Sequence, residues 1–85
     1  MYSKTAIVQN ETGLHARPAS DFVRAASGFS SDITIQNVTD GGDPVNAKSV
    51  IFVLSQGMTK GCEVAVAAEG SDEKEAVETL IALVE

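Results

Sequence analysis

The stretch GLHARPASDFVRAASG, residues 13–28, joins a loop, a helix start and a helix end in one continuous segment. Its apolar residues recur at the i, i+3, i+4 and i+7 spacing of one helix face. They are Ala19, Phe22, Val23 and Ala26. This spacing predicts an amphipathic helix over residues 16–27, which Gly28 would end.

Strand patterns lie on both sides of this helix. Three segments alternate apolar and polar residues, as strands with one face in a core do: residues 2–8, 32–38 and 63–68. The turn DGGDP at residues 40–44 favours a hairpin. It predicts a short return strand at Val45, with pairing limited by Pro44.

Two further segments complete the chain. Residues 70–72 open a second helix, whose acidic first turn suits the helix dipole. Its predicted core face consists of Val77, Leu80, Ile81 and Val84. The unbroken apolar run VIFVL at residues 50–54 is ambiguous, and periodicity alone favours a buried strand.

The order of these elements places the chain in the α+β class. Helices interspersed with hairpin-connected strands favour an antiparallel sheet that is covered by helices on one face. A chain of 85 residues is too short to cover both faces or to build two cores. We therefore expect a single domain over residues 1–85.

Composition excludes several function classes. Twelve acidic and six basic residues give a net charge of −6, which disfavours binding to nucleic acid or anionic membranes. No apolar run approaches the roughly 20 residues of a membrane span, and the start lacks a signal-peptide pattern. With one cysteine, Cys62, and one histidine, neither a disulfide nor a zinc set can form. We expect a cytoplasmic protein without metal or cofactor.

The only histidine, His15, stands where the loop becomes the helix. If it is the N-cap, the N–H groups of Ala16 and Arg17 lack intrahelical partners and can bind an anion. Arg17 adds a charged donor fork, and Pro18 stiffens the first turn. These groups suit a phosphohistidine. Because most surface histidines near helix starts have no special function, the pattern alone leaves both interpretations open.

Four motifs follow one another along the chain: GLHARPA at residues 13–19, VNAKS at 45–49, AVAAEG at 65–70 and the acidic start of the last helix. Together they closely resemble the HPr family, the phosphocarriers of the bacterial phosphoenolpyruvate-dependent sugar phosphotransferase system. The resemblance covers essentially the whole chain in order. It implies an open-faced β-sandwich of four antiparallel strands with three helices on one face. In that fold the ambiguous run is a short helix, from residue 48 or 49 to 56, stopped by Gly57.

The resemblance also implies a function. His15 would accept a phosphoryl group on Nδ1 from phosphorylated enzyme I and pass it to sugar-specific IIA proteins or domains. Arg17 would share this site, with Ala16 and Pro18 supporting the phosphate. The chain would act as a stoichiometric, monomeric carrier and not as an enzyme.

Some residues of the apolar run at 50–54 are expected to be packing residues. The family resemblance further implies one docking surface for enzyme I and IIA partners. It comprises the face around Ala16, Arg17 and Ser20, the exposed part of the short helix at Val50, Ile51 and Leu54, and a rim charge at Arg24.

Because serine is a preferred N-cap residue, Ser49 is expected to be a helix N-cap. Residues 46–49, NAKS, also resemble the regulatory phosphorylation site of Gram-positive-type HPr proteins, which a kinase/phosphorylase modifies. That resemblance extends the expected partners to this kinase/phosphorylase and to a transcriptional regulator involved in carbon catabolite repression.

The sequence departs from the family at three places. The loop over residues 39–44 is longer than in typical members, Phe52 stands where Gly or Lys is frequent, and Ser27 where some members have Lys. Alternatives to the sugar carrier are an HPr-like regulatory binding module, whose known examples lack the active histidine, and a nitrogen-branch phosphocarrier. A free-standing enzyme is the weakest option, because no paired catalytic groups in a pocket are indicated.

Overall fold

The computed structural model describes residues 1–9, 16–57 and 59–84, with the backbone alone for residues 16–18. Within these ranges it has four strands and three helices. In chain order they are β1 (Tyr2–Ile7), α1 (Ala16–Ser27), β2 (Asp32–Asn37), β3 (Val45–Asn46), α2 (Val50–Ser55), β4 (Glu63–Glu69) and α3 (Glu73–Val84). Among the described residues, no helix has the length and apolar character needed to cross a membrane.

The four strands form one antiparallel sheet in the order β1-β4-β2-β3. Ala65 of β4 lies opposite both Thr5 of β1 and Gln36 of β2, so β4 is a central strand. The hairpin predicted from DGGDP is confirmed, since Ile35 of β2 pairs with Val45 of β3.

One hydrophobic core fills the space between the sheet and the helices. It takes alternate strand residues, such as Ile33 and Ile35 of β2 and Val64 and Val66 of β4. The helix faces that pack on them are those that the sequence spacing predicted, except that Val23 of α1 is only partly buried. Buried on α1 and α3 are Ala19, Phe22, Ala26, Ala76, Val77, Leu80, Ile81 and Val84.

The run at residues 50–54 is the element for which periodicity gave the wrong structure. It forms helix α2 and not a buried strand, as the family resemblance implied. Only Val53 of α2 is buried, so the run was apolar without being interior. Gly57, at a φ of 61°, follows the C-cap Gln56 and ends the helix.

Asp72, the residue before α3, is hydrogen-bonded to the loop that follows α1. Its carboxylate accepts hydrogen bonds from the Ser31 hydroxyl, from the Ser30 N–H at 2.9 Å and from the Ser31 N–H at 3.0 Å. These bonds lower the pKa of Asp72 to about 2 from its ordinary value of 3.8, with the Ser31 hydroxyl as the largest cause. These bonds hold the loop between α1 and β2 against the start of α3.

Candidate functional site at the start of α1 and on α2

Helix α1 begins at Ala16, as the sequence predicted. His15, the residue before it, lies outside the described residues, as do the side chains of Ala16, Arg17 and Pro18. The assignment of these four residues to a phosphate site therefore stays a prediction. A helix that begins at residue 16 leaves its first backbone N–H groups without intrahelical acceptors.

The two residues that follow β1, Val8 and Gln9, are fixed by backbone hydrogen bonds. The Val8 N–H donates to the Cys62 carbonyl at 2.9 Å, and the Gly61 N–H donates to the Val8 carbonyl at 2.9 Å. The Gln9 N–H donates to the carbonyl of Val84, the last residue of α3, at 3.1 Å. Residues 10–15 thus connect two anchored points, Gln9 and α1.

The solvent side of α1 carries two of the residues predicted for docking. Ser20 and Arg24 are exposed, and their i, i+4 spacing places them on the same side of the helix. Ala19 and Phe22, fully buried on the other side, fix the rotation of α1 about its axis.

Ser49 is the N-cap of α2, as its residue type predicted. It has extended backbone, with φ −116° and ψ 116°, and its hydroxyl accepts a hydrogen bond from the Phe52 N–H at 3.5 Å. Its carbonyl accepts from the Val53 N–H at 3.0 Å. A group added to the Ser49 oxygen would therefore stand at the positive end of a short helix.

The exposed side of α2 is apolar. Ile51 is 75% exposed, Phe52 49% and Leu54 38%; we call these three residues the α2 patch. Val50, which the family resemblance also assigned to docking, is partly buried. Three of the seven exposed large hydrophobic side chains among the described residues thus belong to this six-residue helix. Such a concentration is typical of an interaction site.

Helices α1 and α2 pack against each other. A hydrogen bond also joins the segment before α2 to the end of α1, because the Lys48 ammonium donates to the Phe29 carbonyl at 2.9 Å. The α2 patch and the exposed residues of α1 therefore belong to two neighbouring helices whose relative position is fixed.

A comparison with models of protein families identifies the family of this chain. Residues 2–85 match the family model described as the HPr component phosphorylation site of the phosphotransferase system. This chain belongs to the HPr family. The match includes the start of α1, residues 49–56 and every strand.

Individual HPr-family proteins are similar over nearly their full length. The chain is 45% identical over 85 residues to phosphocarrier protein HPr of Vibrio cholerae, covering 100% of this chain and 96% of that one. A crystal structure of HPr from Thermoanaerobacter tengcongensis superimposes with a TM-score of 0.92 at 44% identity, covering 99% and 91% of the two chains. Crh, a catabolite repression protein of Bacillus subtilis that forms a swapped dimer, superimposes with 0.75 at 42% identity, covering 99% and 93%.

Sequence reasoning missed the contacts that hold α2 in this HPr-family chain. The Asn37 N–H donates to Gln56 Oε1 at 3.2 Å, and Asn37 Nδ2 donates to the Gln56 carbonyl at 2.9 Å. Asn37 was assigned to a strand and Gln56 to a helix end, and no local signal pairs residues 19 positions apart. Only the fold brings them together.

Proposed function

We propose that this chain is a phosphocarrier that accepts a phosphoryl group on His15 from phosphorylated enzyme I and donates it to sugar-specific IIA proteins or domains. The observation that carries the proposal is the family match, whose model describes a phosphorylation site and covers residues 2–85. The matched range contains one histidine, and it immediately precedes the first residue of α1.

The chemistry consists of two in-line displacements. The lone pair of His15 Nδ1 forms the N–P bond while the N–P bond to the enzyme I imidazole breaks, and the second transfer repeats this exchange toward the IIA acceptor. No water or external oxidant takes part, so positioning and charge balance dominate over acid–base catalysis. His15 must attack as neutral imidazole, because only an unprotonated Nδ1 has a lone pair with which to form the new bond.

The start of α1 supplies what the transferred group needs. The N–H groups of Ala16 and Arg17 offer hydrogen bonds at the positive end of the helix dipole. The Arg17 guanidinium would add charge-assisted bonds to phosphoryl oxygens, and Pro18 would keep the first turn rigid. The carrier itself needs no cofactor and no enzymatic pocket.

Docking would use the two exposed helix surfaces. The α2 patch provides apolar area, Ser20 extends the surface along α1, and Arg24 adds charge at its rim. Enzyme I and IIA partners would bind this surface in turn, since both must bring a reacting group to the same His15.

Ser49 is proposed as a regulatory phosphorylation site. Its N-cap position would tolerate a phosphate, because the helix dipole favours negative charge there. The same charge lies beside Val50 and Ile51 and would oppose docking of enzyme I. A kinase/phosphorylase would be the modifying partner and a transcriptional regulator a further recipient of the modified form.

We further propose a single-domain monomer in the cytoplasm. The second candidate is a regulatory binding module, since the chain is similar to the catabolite repression protein Crh. Retention of His15 and Arg17 supports the carrier instead, while a nitrogen-branch carrier would use the same site with different partners.

A transfer assay separates carrier from binding module. The chain is incubated with phosphoenolpyruvate and the enzyme I encoded in the same genome, and an acid-labile phosphoryl group is sought. Wild type should accept one phosphoryl group per chain, His15→Ala none, and Arg17→Ala should react more slowly because the backbone donors remain. Stoichiometric acceptance by His15→Ala would refute the proposal.

A further inference from the structure

The C-terminal end of α2 is attached to the sheet through Asn37 and Gln56, which we call the clamp. Asn37, the last residue of β2, is 1% exposed. Its main-chain N–H donates to the Gln56 side chain, and its own side chain donates to the Gln56 main chain. Because each residue contributes both main chain and side chain, the clamp restricts the end of α2 in more than one direction.

The loop between β2 and β3 completes the hydrogen bonding of Asn37. Its Nδ2 also donates to Asp40 Oδ2 at 3.1 Å, and its Oδ1 accepts from the Asp40 N–H at 3.2 Å. The Gly42 N–H donates to the Asn37 carbonyl at 3.1 Å. The loop between β2 and β3 therefore holds Asn37 in place through Asp40 and Gly42.

Helix α2 needs such attachment because it is short. Six residues form a marginal helix on their own, and only Val53 is buried in the core. Beyond its packing against α1, its position depends on what holds its two ends, which are the Lys48–Phe29 hydrogen bond just before α2 and the clamp at Gln56. The α2 patch lies between these two attachments.

We propose that Asn37 and Gln56 are positioning residues for partner docking, holding the α2 patch in the orientation that enzyme I binds. This inference rests on the proposed phosphocarrier function. A helix that samples several orientations is competent for docking only part of the time, and apparent affinity falls by that fraction. Loss of the clamp should therefore raise the KM of enzyme I for this chain and leave kcat unchanged.

The test measures initial rates of phosphoryl transfer from the phosphorylated enzyme I of the same genome, at a temperature where every variant is folded. Gln56→Met keeps the length of the side chain but removes the acceptor of the buried Asn37 N–H, and should raise KM about 10-fold. Asp40→Ala removes one support of Asn37 from an exposed position. It should raise KM about 2- to 3-fold and provides a variant that retains the fold.

Ser31→Ala is the matched control, because it removes a hydrogen bond to Asp72, the residue before α3, and lowers stability without touching α2. Its KM should equal that of wild type. The inference is overturned if Gln56→Met and Asp40→Ala keep the wild-type KM, or if Ser31→Ala raises KM as much as Gln56→Met does. A wild-type chain that accepts no phosphoryl group would overturn the proposed function and this inference together. That outcome differs from the two KM results above, which overturn this inference alone.

Discussion

At the scale of single residues, the structure separates side chains whose roles follow from local pattern from those whose roles depend on the fold. Ser49 belongs to the first group, since a serine before a helix predicts the N-cap that it forms. Asn37 and Asp72 belong to the second. Their partners lie far along the chain, at Gln56 and at Ser30 and Ser31. No periodicity or turn signal could have identified them.

Gly70 gives a residue-scale prediction. A Cβ there would lie 2.8 Å from the Ser31 Cα and 2.6 Å from the Ser31 hydroxyl oxygen, and the φ of Gly70 is 156°. Gly70→Ala should therefore destabilise the fold by about 1–3 kcal/mol. Denaturant unfolding measures the loss.

Gly28→Ala is the control for that substitution. Its Cβ would meet the Ala25 carbonyl at 3.4 Å, an ordinary contact, so stability should be unchanged or raised by up to about 1 kcal/mol. Equal losses of unfolding free energy for Gly28→Ala and Gly70→Ala would show that the close packing of Gly70 on Ser31 does not cause the destabilisation.

Asp72 gives a pH-dependent prediction. Because its pKa in the fold, about 2, lies below its ordinary 3.8, the ionised carboxylate stabilises the folded state above about pH 4. That contribution should be lost as the pH falls from about 4 to about 2. Urea unfolding of wild type and Asp72→Asn across this range measures it.

Wild type should be more stable than Asp72→Asn at about pH 5, and the difference should shrink toward pH 2. Glu78, whose pKa is lowered chiefly by its hydrogen bond to Lys4, contributes to both proteins alike and cancels in the comparison. A difference that stays constant with pH would contradict the role assigned to the Asp72 carboxylate.

At the scale of elements, the turn at residues 40–44 predicted the two-residue β3. Sequence spacing predicted the two long helices and the other three strands to within a residue or two, and all of these except β1 bury one regular face. It failed at α2 for a physical reason. The five apolar residues at 50–54 were interpreted as interior, whereas the α2 patch is on the surface. Exposure was anticipated for Phe52, which lies about 100° from Val53 around the helix, and 49% exposure confirms it.

Phe52→Ala tests whether the α2 patch serves docking. Since half of the side chain is in solvent, the stability loss should stay below the roughly 3–5 kcal/mol of a buried Phe. Affinity for enzyme I should fall about 10-fold or more. Calorimetric titration and thermal unfolding measure the two effects separately.

Leu83→Ala is the matched control, because Leu83 is 43% exposed but lies on α3. It should leave affinity unchanged. A large stability loss with unchanged affinity in Phe52→Ala would make Phe52 a packing residue and remove it from the docking surface.

Ser49→Asp tests the regulatory proposal at the start of α2. Aspartate is as good an N-cap as serine, so stability should change by no more than about 0.5 kcal/mol. Its charge lies beside Val50 and Ile51 and must be desolvated on docking, so enzyme I should bind about 10-fold more weakly. Thr79→Asp, exposed on α3, adds the same charge elsewhere and should bind normally. Equal affinities for all three proteins would place Ser49 outside the interface.

At the scale of the whole molecule, the order of elements and the length of the chain were sufficient to predict the layered α+β fold. The strand order β1-β4-β2-β3 was not derivable from residue patterns, because long-range pairing leaves no periodic signal. The proposed docking surface, implied by the family resemblance, likewise has no signal in local residue patterns, since α1 and α2 come from different parts of the chain.

The central claim is that one imidazole nitrogen of His15 carries the phosphoryl group. Because the chain has a single histidine, a long-range 1H–15N NMR spectrum contains one imidazole, which can be followed before and after reaction with enzyme I and phosphoenolpyruvate. Phosphorylation should shift the Nδ1 resonance to the position of a phosphorylated nitrogen and leave Nε2 protonated. An unchanged His15 ring in a chain that has gained phosphate would contradict the claim.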